Sequence, residues 1–359
     1  MGNASLWKAT VDDFEALCTG RVRGRVIAPR PDDRCFKFVV LFAKADEKTR
    51  SDDWGLPHHN AADECCPECC GNRTSRPVTD LQGSAAWRTT MITSVRPYVE
   101  RMRKPLHPLA SSKLMWRGLF YADYMHICDV HGCNAIIYGS LLCILLLDPR
   151  LGRTKAARLH SVNKFMAEWY EENPGVAKLP HVIESNLKLN HWSEMHGPAI
   201  KAANSRNAAP LFSALAREHF DELTEEGRHI LIVTSKLEEW YAALKSAGLC
   251  FTDHELHELQ QITDDLTFAW QSLRAIAQKK SRLHWQIKGK AHKLCHMPFW
   301  AGILNPRIVS CYSDESHIGT VCSVWKGSMG GTYAQHVQRN VLLKRFLGVV
   351  VRYELDKEE

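Results

Sequence analysis

The sequence has no internal repeat, no low-complexity tract and no cleavable secretory leader, and its apolar runs are too short to cross a bilayer. The longest of them, AIIYGSLLCILLL at residues 135–147, falls short of the roughly 20 residues a span needs and reads as a core helix. Where a leader would carry its apolar segment, the chain has Asp12, Asp13 and Glu15, so secretion is not expected. The Asn-X-Ser/Thr triplets at Asn3 and Asn72 then have no glycosylating compartment to act in. Met1-Gly2 is followed by Leu6 where N-myristoylation wants Ser or Thr. The expected location is nuclear or cytoplasmic, with no membrane partner.

Excess charge is also nearly absent. Lys and Arg number 46 against 40 for Asp and Glu, a net +6 that is compatible with nucleic acid but too mild to establish it. With 45% hydrophobic and 24% charged residues, the 359-residue chain can bury a sizeable core, which excludes global disorder. What the sequence does have is cysteine: thirteen, an odd number. Without a leader, disulfides are disfavoured, and clustered cysteines point to a metal or to reduced thiols.

Residues 5–20 place Leu6, Val11, Phe14 and Leu17 at helical spacing, closed by Gly20. A connector with Pro and Arg spans 21–34, and CFKFVVLFAKAD at 35–46 is an apolar run of strand length that stops at Asp46. Residues 51–90 read as irregular. Helix signals cover 113–147, 154–172, 207–221, 225–246 and 253–279, with loops at Pro149, Asn173-Pro174 and Gly248. A second short strand is predicted at 307–312, followed by a helix and an amphipathic segment at 333–347.

Four constellations carry chemistry. In CCPECC, Cys65, Cys66, Cys69 and Cys70 offer a C-x-x-C pair (Cys66, Cys69) in a Pro-containing turn, a spacing that lets two thiolates meet one tetrahedral Zn²⁺. Completing ligands nearby in sequence are Cys65, Cys70, His58, His59, His126, His131 and Cys133; the plain alternative is a loop of metal-free thiols. In DYMHICDVHGC, Asp123 and His126 stand three apart, so on a helix they share a face and can bind or orient a metal. The competing reading is an Asp capping the apolar helix that follows, with a buried His. In GKAHKLCHM, His292 and His296 lie one turn apart with Lys288, Lys290 and Lys293 interleaved. No Glu sits between them as in H-E-x-x-H, and a packed helix with a basic outer face is the safer reading. In CYSDESHIG, Asp314 and Glu315 follow an apolar run and open a helix, where acids also suit the dipole. Arg339, Lys344 and Arg345 flank a final apolar stripe, a solvated face first and a phosphate contact second.

In this order the pieces resemble the catalytic region of CACTA-type (En/Spm-like) cut-and-paste DNA transposases. The counterparts are the strand ending at Asp46, the cysteine pair, the D-x-M-H at Asp123-Tyr124-Met125-His126 opening an apolar helix, the K/H-rich GKAHKLCH and the acid Glu315. The resemblance implies an α-rich α/β fold: a truncated RNase-H-like core with a large helical insertion and a small Cys-rich loop module. Its divisions would be a partial core at 1–50, a cysteine region at 51–110, the insertion at 111–285 and a returning core segment at 286–359. It implies Asp46 and Glu315 as the second and third carboxylates of a DDE triad. The metal ligands would be Cys65, Cys66, Cys69, Cys70, Asp123 and His126, and the DNA contacts Lys288, Lys290, Lys293, Arg339, Lys344 and Arg345. Zinc would be structural, with Mg²⁺ or Mn²⁺ bound only if the carboxylate set is complete. DNA is the implied partner, and a homo-oligomer is compatible with it.

The departures matter as well. The family's first carboxylate precedes the helix matched here by 5–20, and the chain has no counterpart ahead of that helix; Ala45 stands where Gly usually precedes the acid. The expectation is therefore DNA binding without autonomous cleavage. Two other readings stay open: a zinc-stabilised helical interaction protein, and, less well supported by the local spacings, a zinc hydrolase with an open coordination position.

Overall fold

The computed structural model describes residues 3–18, 21–22, 25–26, 43–58, 63, 65–187, 194–195 and 201–312. Helix α1 (Asn3–Cys18) realises the first helical spacing and buries Val11 in a cluster with Trp54, Leu56, Tyr98 and Leu109. Two-residue strands β1 (Arg21–Val22) and β2 (Arg25–Val26) pair antiparallel within the predicted connector. Of the strand expected at 35–46, the described part is β3 (Ala43–Ala45), and it does stop at Asp46. The reason is local: the Asp46 side chain accepts a hydrogen bond from Thr49 N at 2.7 Å and so caps α2 (Glu47–Asp52), which turns the chain away.

After α3 (Val95–Glu100) and α4 (Pro108–Ser111), the expected continuous helix at 113–147 is broken into three pieces. The first is a strand, β4 (Phe120–Ala122), which pairs in parallel with β3 so that Ala45 stands opposite Ala122. Next comes a short π-helical turn, Met125–Asp129, whose first amides donate to Asp123. Only then does α5 (Cys133–Leu145) begin. Between turn and helix, His131 takes a left-handed backbone (φ 48°), and a Cβ on Gly132 would lie 2.2 Å from the Ile127 carbonyl oxygen. Apolar composition alone did not reveal these breaks.

Helix α5 is apolar on all sides and buried throughout except at Ile144, as a core helix must be. Together with the π-turn it forms a 21-residue stretch, Met125–Leu145, apolar and long enough to span a membrane by composition, but most of it is buried inside the protein. Around it pack α7 (Ala202–Asn207), α8 (Ala209–His219) and α9 (Glu225–Ser246), preceded in the chain by α6 (Lys155–Glu172). Tyr138 stacks on Phe212 with ring centroids 3.8 Å apart. Helices α9 and α10 (Asp253–Lys279) form a hairpin. In α9 the inward row Ile230, Val233, Leu237, Trp240 and Leu244 has the three–four spacing of one helix face, and α10 matches it with Leu259, Leu266, Trp270 and Leu273. Thr252 and Glu255 cap α10 reciprocally, Thr252 N donating to Glu255 Oε2 at 2.7 Å. Helices α11 (Gly289–Leu294) and α12 (Met297–Ala301) return the chain to β4, where Tyr121 Oη donates to the Trp300 and Leu304 carbonyls.

The strand expected at 307–312 is not formed at 307–310. Asn305 instead makes a turn there, accepting from Arg307 N through Oδ1 while its amide nitrogen donates to the Leu244, Ala247 and Gly248 carbonyls. The α-rich expectation holds, but among the described residues the sheet structure consists of two short strand pairs, so no larger sheet core is present there. The chain divides into two compact units, Met1–Ser310 and Cys311–Glu359; of the second, residues 311–312 are described.

Gly139 tests how tightly the core is closed. A Cβ there would lie 2.4 Å from Met195 N and 2.6 Å from Glu194 C, both backbone atoms of a segment held to α5 by Met195 N donating to Ala135 O at 2.7 Å. Alanine gains about 1 kcal/mol in helix propensity, whereas forcing backbone apart costs about 1–3 kcal/mol, so the clash prevails. Gly139→Ala should lower the thermal midpoint by several degrees in a circular-dichroism melt. A midpoint at or above that of the native chain would show that residues 194–195 do not sit on this helix.

Candidate metal centre

The cysteine turn is built by its backbone. Cys69 bridges to Met91, Ile92 N donates to Glu68 O at 2.8 Å, and Cys65 N donates to Gly71 O at 3.3 Å. This brings the Cys66 and Cys69 thiols to the same side. Facing them, His292 from α11 and His296 just beyond its end lie four residues apart and present Nε2 inward. Cys66 Sγ is 3.4 Å from His296 Nε2, Cys69 Sγ is 3.3 Å from His292 Nε2, and the two Nε2 atoms are 3.0 Å apart. All four donor atoms fall within 4.8 Å of one another and all four residues are buried. Trp87 closes the site, its ring edge-on to both imidazoles at 4.3 and 5.0 Å.

These separations come close to those of a tetrahedral metal shell, with the two imidazole nitrogens somewhat nearer to each other. With metal–sulfur bonds near 2.3 Å and metal–nitrogen bonds near 2.05 Å, the edges of the tetrahedron come out at roughly 3.3–3.8 Å. Two soft thiols and two imidazoles converging on one buried point form a Cys₂His₂ group that can hold a metal such as zinc. Burial, then the hydrogen bond that the Cys66 thiol shares with Cys69 as donor, pushes that thiol up to about 12, and burial depresses the His292 imidazolium. A metal here would therefore have to displace thiol protons.

Of the expected metal ligands, the structure brings Cys66 and Cys69 together and leaves Cys65 and Cys70 outside the four. Cys70 Sγ instead accepts from Arg101 at 3.4 Å. His58, His131 and Cys133 do not complete the group, and His59 lies outside the described residues. The completing ligands come from 223 and 230 residues away. The His292/His296 spacing was visible in the sequence as half a zinc motif. Its missing Glu made packing the preferred reading, although a structural site needs no general base. Asp123 and His126 form a separate pair, His126 Nδ1 standing 2.5 Å from Asp123 Oδ2.

The basic outer face expected of GKAHKLCHM is not there. Lys293 is buried and ion-paired with Glu47, Lys288 bonds Glu194 at 2.7 Å, and Lys290 donates to the Val130 and His131 carbonyls. All three ammonium groups are engaged within the chain, and of the three Lys288 is the one that is exposed. Glu315, Arg339, Lys344 and Arg345 lie outside the described residues.

Beneath the centre sits a buried ion pair. Glu68 Oε2 is 3.2 Å from Cys66 Sγ, while Oε1 accepts from Arg50 Nη2 at 2.8 Å, and Arg50 also reaches the Phe120 carbonyl at 3.4 Å. Burial alone would raise the Glu68 carboxyl, but Arg50, then Lys293 and His296, hold it well below the usual carboxylate range. The metal centre is thus tied to α2 through two ion pairs, Glu68–Arg50 and Lys293–Glu47, and through Arg50 to the Phe120 carbonyl of β4.

No family model, curated protein or solved structure matches the chain. The functional reading therefore rests on this geometry and on the sequence resemblance.

Arg50→Met should destabilise the protein by about 3–5 kcal/mol in denaturant unfolding, because it strands a buried carboxylate. Adding Glu68→Leu should restore much of that loss. A double variant no more stable than the single one would mean that the charge pair is not the reason for the cost.

Proposed function

We propose that the Cys₂His₂ group is a structural zinc centre. The carrying observation is that all four positions are filled by buried protein donors, which leaves none for water; this also ranks the zinc-hydrolase reading below the others. Purified protein should carry about one zinc per chain. Cys66→Ser or His296→Ala should remove it and lower the thermal midpoint, whereas Cys65→Ser and Cys70→Ser should keep it. Metal-free native protein, or zinc lost equally in all four variants, would contradict this assignment.

We further propose that the chain is a transposase-derived DNA-binding protein of the DDE type. Support comes from the strand pair: β3 and β4 run parallel in register, and each ends in an aspartate, Asp46 and Asp123. Asp123 would then stand as a second strand-end carboxylate beside Asp46, while the family's first carboxylate, upstream of α1, stays without a counterpart. Both carboxylates address His126: it is bonded to Asp123, and it is one of the groups that lower Asp46. For Asp46 burial acts upward, but the Thr49 hydrogen bonds and then His126 and Lys48 prevail, so the group is ionised at neutral pH. Two oxygen-donor acids suit a hard divalent ion, and in this class such an ion neutralises charge on a transferring phosphate. The small cavity of about 10 Å³ beneath His126 is not the place for it, because Arg50 and Lys290 line it beside Glu47 and Asp123. Both aspartates also cap the turns that follow them, which is the bland account of their position.

Mn²⁺ titration followed by electron paramagnetic resonance should show a site that Asp46→Asn and Asp123→Asn each weaken by about tenfold or more. Binding to duplex DNA should be present at low salt and fall as salt rises. A chain that binds neither Mn²⁺ nor DNA would leave the second reading, a zinc-stabilised interaction protein. The internal pairing of Lys288, Lys290 and Lys293 favours that reading.

A further inference from the structure

In unit Met1–Ser310, with Tyr124 (the neighbour of Asp123) in its wall, lies a second cavity of about 440 Å³, within the range of small-ligand sites. Its wall brings together cations from three separate stretches of chain: Arg206 at the end of α7, Lys245 in the last turn of α9, and Arg307 beyond α12. Arg307 Nη1 donates to the Lys245 carbonyl at 3.3 Å, which holds two like charges at one rim. The acid in the wall, Glu238, lies 3.8 Å from Arg217. The opposite component is aromatic, from Tyr124 and Tyr241. Both phenols are anchored by hydrogen bonds, Tyr241 from the core and Tyr124 from Arg206 in the same wall. Tyr241 Oη donates to buried Asp129 and accepts from Asn134 at 2.9 Å, and Tyr124 Oη accepts from Arg206 at 3.4 Å.

Cations at the carboxyl end of α9 would by themselves be explained by the helix dipole. That accounts for Lys245 and Arg307. It does not account for Arg206 arriving from another helix, or for two anchored tyrosine rings in the same hollow. Convergent cations call for a phosphate, and an anchored, partly exposed aromatic ring beside them suits a planar base. We propose that this cavity binds a nucleotide unit, its phosphate held by Lys245, Arg307 and Arg206 and its base against the partly exposed Tyr241. The ligand's chemistry is that of either a free nucleotide or one residue of a nucleic-acid strand. The site does not depend on the Asp46–Asp123 reading.

The test is calorimetric titration of the full chain with dAMP, with inorganic phosphate and with a short single-stranded oligonucleotide. Saturable dAMP binding is expected, with phosphate alone weaker by about tenfold or more for want of stacking. Lys245→Glu combined with Arg307→Glu, both exposed positions, should weaken dAMP by about tenfold or more at an unchanged melting temperature. Glu238→Gln, which removes the wall's acid, should tighten dAMP and stands as the second variant should the charge reversal unfold the chain. Displacement of dAMP by the oligonucleotide assigns the site to a strand, and failure to displace it assigns a free nucleotide. No dAMP binding, phosphate binding as tight as dAMP, or indifference to the charge changes would overturn the proposal.

Discussion

The described structure turns on the contact between the turn at 66–69 and the end of α11 at 292–296. These segments are 223 to 230 residues apart in sequence, and everything between them, including the buried helix α5 and the α9–α10 hairpin, is a loop closed by that contact. A metal bridging the four donors would work as a cross-link. In a chain-entropy model, closing a loop of this length removes on the order of 5 kcal/mol of freedom from the unfolded state. That is comparable with the whole net stability of many domains.

The closure is reinforced by charge. Glu68 beneath the thiols and Lys293 between the histidines each meet a partner on α2, Arg50 and Glu47. Buried pairs of this kind add little net stability, because desolvation offsets attraction, but they are costly to break and so fix one arrangement over others. Here the arrangement they fix is the seating of α2 and β4 on the metal centre. Asp46 and Asp123, at the ends of the paired strands, take their positions from the same clamp.

Parts of this were written in local sequence. The capped helices at 155–172, 225–246 and 253–279 follow from threonine caps and a three–four apolar spacing, with first-turn acids in the last two, all of which act within a few residues. The stop at Asp46 follows from a side chain that bonds an amide three residues on. The run at 113–147 was misleading for the same reason. Its apolar pieces, at 119–122 and 135–147, have no period, so they cannot distinguish a buried strand from a buried helix, and β4 and α5 looked alike.

The Cys66-x-x-Cys69 pair and the one-turn spacing of His292 and His296 are properties of the sequence by itself, as is the oxygen-donor chemistry of Asp46 and Asp123. That the two half-sites face each other was decided only by the tertiary structure, because ligand geometry depends on distance in space and sequence separation does not report it. The same holds for the lysines of GKAHKLCHM. Their charge is legible in the sequence, but only the folded chain places Glu47, Glu194 and the Val130 carbonyl within reach, turning an apparent basic face into internal ion pairs and hydrogen bonds.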